Sequence, residues 1–237
     1  MTEVGIGTAI VAFIEPHAGQ AREFNRWYER DHFYAATTAG PGAFAGARWV
    51  ATGACKAVRP PASTWFGDTA RGSFLTTVWL LDGKQAEWDA WVAKEMEELR
   101  AQPDRMFPGR DHIHTAVYRY CCEVRADDAP SAAVALDHGF AGVIAVAVPA
   151  GAASAEACAR EIVGTEIPVV VGLTPERVIL SQAEPSPHAL VLGFTPGDPL
   201  GVWRSQVEPA LARLPAVGFA SPFLRTIPGT DAYVDDL

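Results

Sequence analysis

The chain has 237 residues, a formal net charge of −9 and a sequence pI near 5.1, enough length for one large domain or two small ones with a true core. Its hydrophobic share of 49% and charged share of 20% are ordinary for a globular protein. No Lys/Arg stripe is available to neutralise phosphates, which argues against a nucleic-acid partner. No apolar run approaches the ~20 residues that span a bilayer, so no membrane partner is expected. Met1-Thr2-Glu3-Val4 lacks the basic start of a signal peptide. The four cysteines, at 55, 121, 122 and 158, show no Cys-x-x-Cys spacing. The neighbours Cys121 and Cys122 would not easily pair with each other, and reduced structural thiols in a cytoplasmic protein are the expectation.

Gly5 to Ile14 is β-branched and apolar and ends at Glu15-Pro16, which predicts a buried strand. A helix follows from about Gln20 to Tyr34 and is broken by Gly40-Pro41-Gly42. Ala43 to Thr52 reads as a second strand, residues 53–71 with Pro60-Pro61 and Gly67 as a long exposed loop, and Gly72 to Leu81 as a third strand. Lys84 to Gln102 is a second helix, since Trp88, Trp91, Val92, Met96 and Leu99 keep a period near 3.6. His114 to Val124 is a fourth strand. The order β-α-β-β-α-β is that of a ferredoxin-like unit.

Residues 126–139 read as an Ala/Asp/Pro-rich linker between a first unit, 1–125, and a second, 140–237. In the second, Ala141 to Val148, Arg177 to Gln182, Ala189 to Phe194 and Val217 to Thr226 read as strands. One helix begins near the cap Ser154; another carries Trp203, Val207 and Leu211, with Pro209 as a source of a kink. The predicted class is α+β: two tandem ferredoxin-like units forming an intramolecular barrel. The second unit is degenerate in chemistry, because six of the seven tryptophans and four of the five tyrosines precede residue 126.

The densest chemistry lies in Phe24-Asn25-Arg26-Trp27-Tyr28-Glu29-Arg30-Asp31-His32-Phe33-Tyr34. On a helix, Phe24, Trp27, Tyr28 and Asp31 fall at i, i+3, i+4 and i+7, and His32 lies one turn after Tyr28. An apolar stripe that ends in an acid and an imidazole points to a pocket. His32 is the candidate general acid or base, Tyr28 the hydrogen-bond donor to an enolate oxygen, and Asp31 the group that orients the imidazole. The plain alternative is a hydrogen-bonded core histidine near a helix end.

This stretch, followed by Gly40-Pro41-Gly42 and Ala45-Gly46-Ala47-Arg48, resembles the EthD-like branch of the dimeric α/β-barrel superfamily over about the first 125 residues. The resemblance implies two ferredoxin-like sheets paired into a barrel with a small-molecule cavity on the sheet side. It also implies cofactor-free chemistry (dehydration, decarboxylation, cyclisation or oxygenation) on hydrophobic or polyketide-like substrates.

Substrate contacts are expected from Trp27, Phe44, Arg48, His114, Tyr118 and Tyr120. On the fourth strand, His114, Ala116, Tyr118 and Tyr120 share one face, and the tyrosines should run toward the His32 end. Phe44, Gly46 and Arg48 share a face of the second strand; Arg48 either steadies an oxyanion or forms an ion pair with a neighbouring acid. His112 and His114, two apart on a strand, should also share a face, but topology places them at the opposite end from His32, so no metal site is assigned. No Gly-x-Gly-x-x-Gly, Walker or Gly-x-Ser-x-Gly pattern occurs, and no cofactor is indicated. The expected function is a cofactor-independent lyase or isomerase acting on a hydrophobic cyclic small molecule. The alternatives are a non-catalytic binder and a cofactor-free monooxygenase. Whether the pseudo-dimer pairs again into a homodimer is left open.

Overall fold

The computed structural model describes residues 5–60, 65, 67–181 and 188–237. Met1 to Val4, Pro61 of the expected loop and Gln182 of the expected strand lie outside these described residues. The β-branched runs form eight strands: β1 (Ile6–Pro16), β2 (Ala43–Val50), β3 (Phe74–Leu81), β4 (Arg110–Arg125), β5 (Gly142–Pro149), β6 (Val169–Ser181), β7 (His188–Thr195) and β8 (Phe219–Arg225). They close an antiparallel barrel in the order β1-β3-β2-β8-β5-β7-β6-β4. Within that ring, β4-β1-β3-β2 is the ferredoxin-like order, and β8-β5-β7-β6 repeats it with the second set of strands. The expected α+β class and the intramolecular barrel of two tandem units therefore hold.

The two seams between the halves are unequal. β4 and β6 stay paired from His114↔Ser181 to Arg125↔Val169, whereas β2 and β8 pair only at Trp49↔Arg225 and Val50↔Leu224. The strand expected to open at Arg177 begins at Val169, because Val169, Val170 and Val171 extend it along the outgoing end of β4.

The helices are α1 (Ala21–Trp27), α2 (Gly53–Ala57), α3 (Gln85–Arg100), α4 (Ala132–Ala135), α5 (Ala152–Ile162), α6 (Pro199–Val202) and α7 (Glu208–Leu211). Of these, α1, α3 and α5 cover the outside of the sheet, whereas Cys55 of α2 and Ala132 and Ala135 of α4 pack with the barrel interior. Short α4 interrupts the expected linker, and α5 starts at Ala152 after Gly151, so Ser154 lies inside the helix rather than capping it. Trp65 and Arg59 anchor the expected exposed loop. Trp65 enters the barrel, edge-on to Phe13 at 5.4 Å. Buried Arg59 donates to the carbonyls of Thr69 and Arg71 at 2.6 Å and to Ser221 Oγ on β8 at 2.9 Å.

Strand alternation sorts the core into an inside and an outside. Phe13, Trp49, Trp79, Tyr118, Phe194, Phe219 and Phe223 fill the barrel interior. Outside, the small residues Ala155, Cys158 and Ala159 seat α5 flush on the second half. The first half has no such small-residue helix: Phe24, Trp27 and Tyr28 stand between α1 and its sheet.

Candidate functional site

The helix of the first half does not stay α-helical. After Trp27 it widens into π turns over Tyr28–His32 and Tyr34–Thr38, so that the Phe33 and Ala39 N–H groups donate to the Tyr28 and Tyr34 carbonyls, five residues back. Thr37 Oγ1 and Thr38 Oγ1 both donate to the Phe33 carbonyl, a side-chain capture that competes with the ordinary ladder. π turns are rare and recur at functional sites. The element therefore runs past its expected end at Tyr34.

Beneath the widened segment lies a cavity of ≈ 480 Å³ on the outer face of the barrel. Its roof is Tyr28, His32, Ala36 and Thr37, and its floor is Ile10 and Ala12 of β1 with Thr76 and Val78 of β3. Trp88, Val92 and Met96 of α3 close one side. Arg110, His112 and Thr115 of β4 close the other, together with Arg177, Ile179 and Leu180 of β6. The second half of the chain thus supplies part of the wall. Apolar surface predominates in the lining, and His32, His112, Asp89, Arg100, Arg110 and Arg177 bring polar and charged groups to it, which suits a small hydrophobic molecule that carries an oxygen function.

His32 is buried, with its ring stacked on Trp27 at 4.3 Å and edge-on to Tyr28 at 5.1 Å. Its Nδ1 is buried without a hydrogen-bond partner. Burial, and after it the charges of Arg110 and His112, push its pKa down to about 3, so the imidazole is neutral at physiological pH. Burial likewise raises Tyr28 above the usual phenol value, against the Thr76 hydroxyl and the Arg48 and Arg110 charges, and keeps it protonated. Arg110 lies over the Trp27 ring at 4.6 Å, and its Nε is buried without a partner. No salt bridge pairs its guanidinium with a carboxylate among the described residues. His112, which donates to or accepts from Thr115 Oγ1 at 2.8 Å, is held down to about 4 by burial and by Arg110.

Several expected placements are corrected. His112 lines the same cavity as His32 instead of the far end. A helix rises ~1.5 Å per residue and a strand ~3.3 Å, so the helix that follows β1 has descended only about half the strand's length when it reaches His32. Nor do His112 and His114 share a face. The register steps from Ile14↔His112 to Phe13↔His114, a bulge at Ile113 that turns His114 inward. His114 therefore bonds Tyr118 Oη at 2.9 Å inside the barrel and meets Trp65 at 4.8 Å. Tyr118 and Tyr120 face that same interior, on the opposite side of the sheet from His32; the Tyr120 hydroxyl donates to Glu123 at 3.2 Å.

Asp31 does not orient the imidazole; it takes Arg105 Nη2 at 2.6 Å. Arg48 is buried outside the cavity, against the Tyr28 ring at 4.6 Å and 3.5 Å from Glu29, so the ion-pair alternative is the one observed. Phe44 is separated from Arg48 by a register shift between Ala43 and Ala45 and packs against the barrel interior. Trp27 stands behind His32, where its Nε1 donates to the Arg105 carbonyl at 2.7 Å. Arg110 is the site residue that sequence reasoning missed, together with Arg177, Ile179 and Leu180. The last three reach the cavity only through the β4–β6 seam, for which the local sequence holds no signal. Among the described residues, no group of three His, Cys, Asp or Glu side chains is placed to hold a metal ion, and no helix is long and apolar enough to cross a membrane.

No protein-family model matches the sequence, and no curated protein matches it either. Solved structures do match. One, described as an anthrone oxidase-like protein, is 11% identical over 95% of this chain and 93% of its own, with a TM-score of 0.56. Another, a chlorite dismutase candidate, is 10% identical over 98% and 100%, with a TM-score of 0.51. At these identities the likeness is one of fold. The chain has the dimeric α/β-barrel fold, with both halves of the barrel on one polypeptide.

Proposed function

We propose that this chain is a cofactor-independent oxygenase acting on a hydrophobic cyclic substrate that carries an acidic C–H beside a ketone or phenol. One observation carries the reading: the neutral imidazole of His32, its Nδ1 without a hydrogen-bond partner, lines one cavity with Tyr28 and with Arg110, which no carboxylate pairs among the described residues. His32 takes the proton from the substrate carbon, while Tyr28 and Arg110 hold the oxygen on which the charge collects. An oxyanion seated beside Arg110 offsets that arginine's charge and strengthens the imidazole as a base.

The resulting carbanion holds the electrons that dioxygen needs. An activated ring methylene and one dioxygen molecule give one ring carbonyl and one water. The carbon is oxidised, dioxygen is reduced, and no external reductant is required. The description of one fold neighbour as anthrone oxidase-like is what ranks oxygenation ahead of elimination or isomerisation, which begin with the same proton removal.

The test is dioxygen uptake by the purified protein with a panel of anthrones and naphthols. Uptake should be stoichiometric with ketone formed and should fall about 10²–10⁴-fold in His32→Ala, with the fold retained by circular dichroism. Turnover that proceeds equally without dioxygen would move the protein to the lyase or isomerase class. Tight binding with no turnover would leave a carrier. An undiminished rate in His32→Ala would remove the role given to the imidazole.

A further inference from the structure

Consecutive residues on a strand point to opposite faces, so Cys121 and Cys122 ought to be separated by the sheet. They are not. The β4–β6 register steps from Tyr120↔Leu173 to Cys122↔Gly172, which leaves Cys121 as the extra residue of a bulge. Tyr120 packs with the barrel interior, while both cysteines pack on the outer layer beneath α5. Their sulfurs lie 3.8 Å apart, with the Cys121 thiol donating to Cys122 Sγ.

Room for the pair comes from Gly172. A Cβ there would collide with Cys122 Sγ and fall 3.4 Å from Cys121 Sγ, so the two sulfurs crowd the space a side chain would fill. Both cysteines are half-buried, whereas Cys55 and Cys158 are fully buried. The pair is thus the accessible thiol chemistry among the four.

We propose that Cys121 and Cys122 form a vicinal-dithiol site that chelates a monosubstituted trivalent arsenical through both sulfurs. A disulfide is the poorer fit. The Cα atoms of neighbouring residues are ~3.8 Å apart across a trans peptide, below the ~4.4–6.8 Å that disulfides span. One bridging atom lengthens the link and relieves that constraint. Soft sulfur ligands select soft electrophiles. Because no third ligand group converges among the described residues, the site matches an electrophile with two open valences. For phenylarsine oxide the reaction is PhAsO + 2 RSH → PhAs(SR)2 + H2O, with arsenic trivalent throughout. Cys122 attacks first, since the hydrogen bond from Cys121 draws its thiol pKa down against burial and Glu156.

The experiment treats the full-length protein with phenylarsine oxide and reads intact mass. The expected result is one phenylarsine per chain that survives excess glutathione, a monothiol, and is stripped by 2,3-dimercaptopropanol. Tryptic digestion should place it on the peptide that runs from Tyr120 to Arg125, a mapping that needs no variant to fold. Cys121→Ser and Cys122→Ser should each abolish the glutathione-resistant adduct, and Cys158→Ser should keep it. No adduct, an adduct that glutathione removes, or one that maps to Cys55 or Cys158 would overturn the proposal. None of these outcomes bears on the His32 cavity.

Discussion

The imidazole of His32 lies flat on the indole of Trp27, with ring centroids 4.3 Å apart and planes inclined by 22°. In an α-helix at 3.6 residues per turn, residues five apart sit about 140° from one another and cannot stack. The π turn over Tyr28–His32 narrows that offset. The rare turn is therefore what aims His32 at the cavity, and the Thr37 and Thr38 hydroxyls on the Phe33 carbonyl help to hold the widened helix.

A first consequence concerns the pH profile. An exposed histidine base would lose activity near its ordinary value of 6.5, but burial holds His32 at about 3. The acid limb of kcat/KM, which reports the free enzyme, should lie well below pH 5. A limb centred near 6.5 would contradict a buried, neutral imidazole.

Arg110→Met should act on that profile and on rate together. Removing the second-largest cause of the His32 shift moves the acid limb toward higher pH. Losing the cation beside the substrate oxygen should cost about 10–10²-fold in kcat/KM. A lower rate with an unmoved limb would place Arg110 away from the imidazole.

Stability should show the same groups from the other side. His32, His112 and His114 are held at about 3, about 4 and about 4, against 6.5 in the unfolded chain. The depressed values leave stability intact above pH 6.5, and it is lost as pH falls from there toward 4 and 3, because only the unfolded chain takes up the protons. Each histidine that stays neutral contributes a slope of up to ~1.4 kcal/mol per pH unit in that window. Urea titrations between pH 7 and 4.5 would measure it.

Asp31→Asn should change turnover by less than about tenfold, because its carboxylate serves half-exposed Arg105 and not the imidazole. Arg48→Met should do the reverse. It leaves the cavity lining in place but removes the cation 3.5 Å from Glu29, which keeps the hydrogen bonds donated by the Gly229 N–H and the Tyr233 hydroxyl, so stability should fall by about 1–3 kcal/mol. Thermal unfolding set beside dioxygen uptake separates the two outcomes.

Much of this was legible in the chain. Alternating β-branched runs and the Trp88/Trp91 stripe mark strands and helix well enough to show two ferredoxin-like units, and His32 with Tyr28 does line a cavity. The errors share a physical origin. The bulges at Ile113 and Cys121 are properties of register between two strands, invisible in either strand alone, and each turns every later side chain over. The π turn contradicts a spacing that fits an ordinary helix equally well. Arg110 carries no signal in the sequence because its role depends on the helix descending slowly past a steep strand, a comparison of rises and not of residues.

The unequal seams carry a final consequence. A symmetric homodimer must build both junctions alike, since one rotation relates them. This chain is free of that obligation. It lengthens the β4–β6 junction and uses Arg177, Ile179 and Leu180 there to wall a cavity, while the ladder between β2 and β8 covers Trp49 and Val50, with Thr226 donating to the Arg48 carbonyl beside it. Amide exchange should accordingly find a hinge and a latch. The barrel should open first at β2–β8, with the cavity wall still paired.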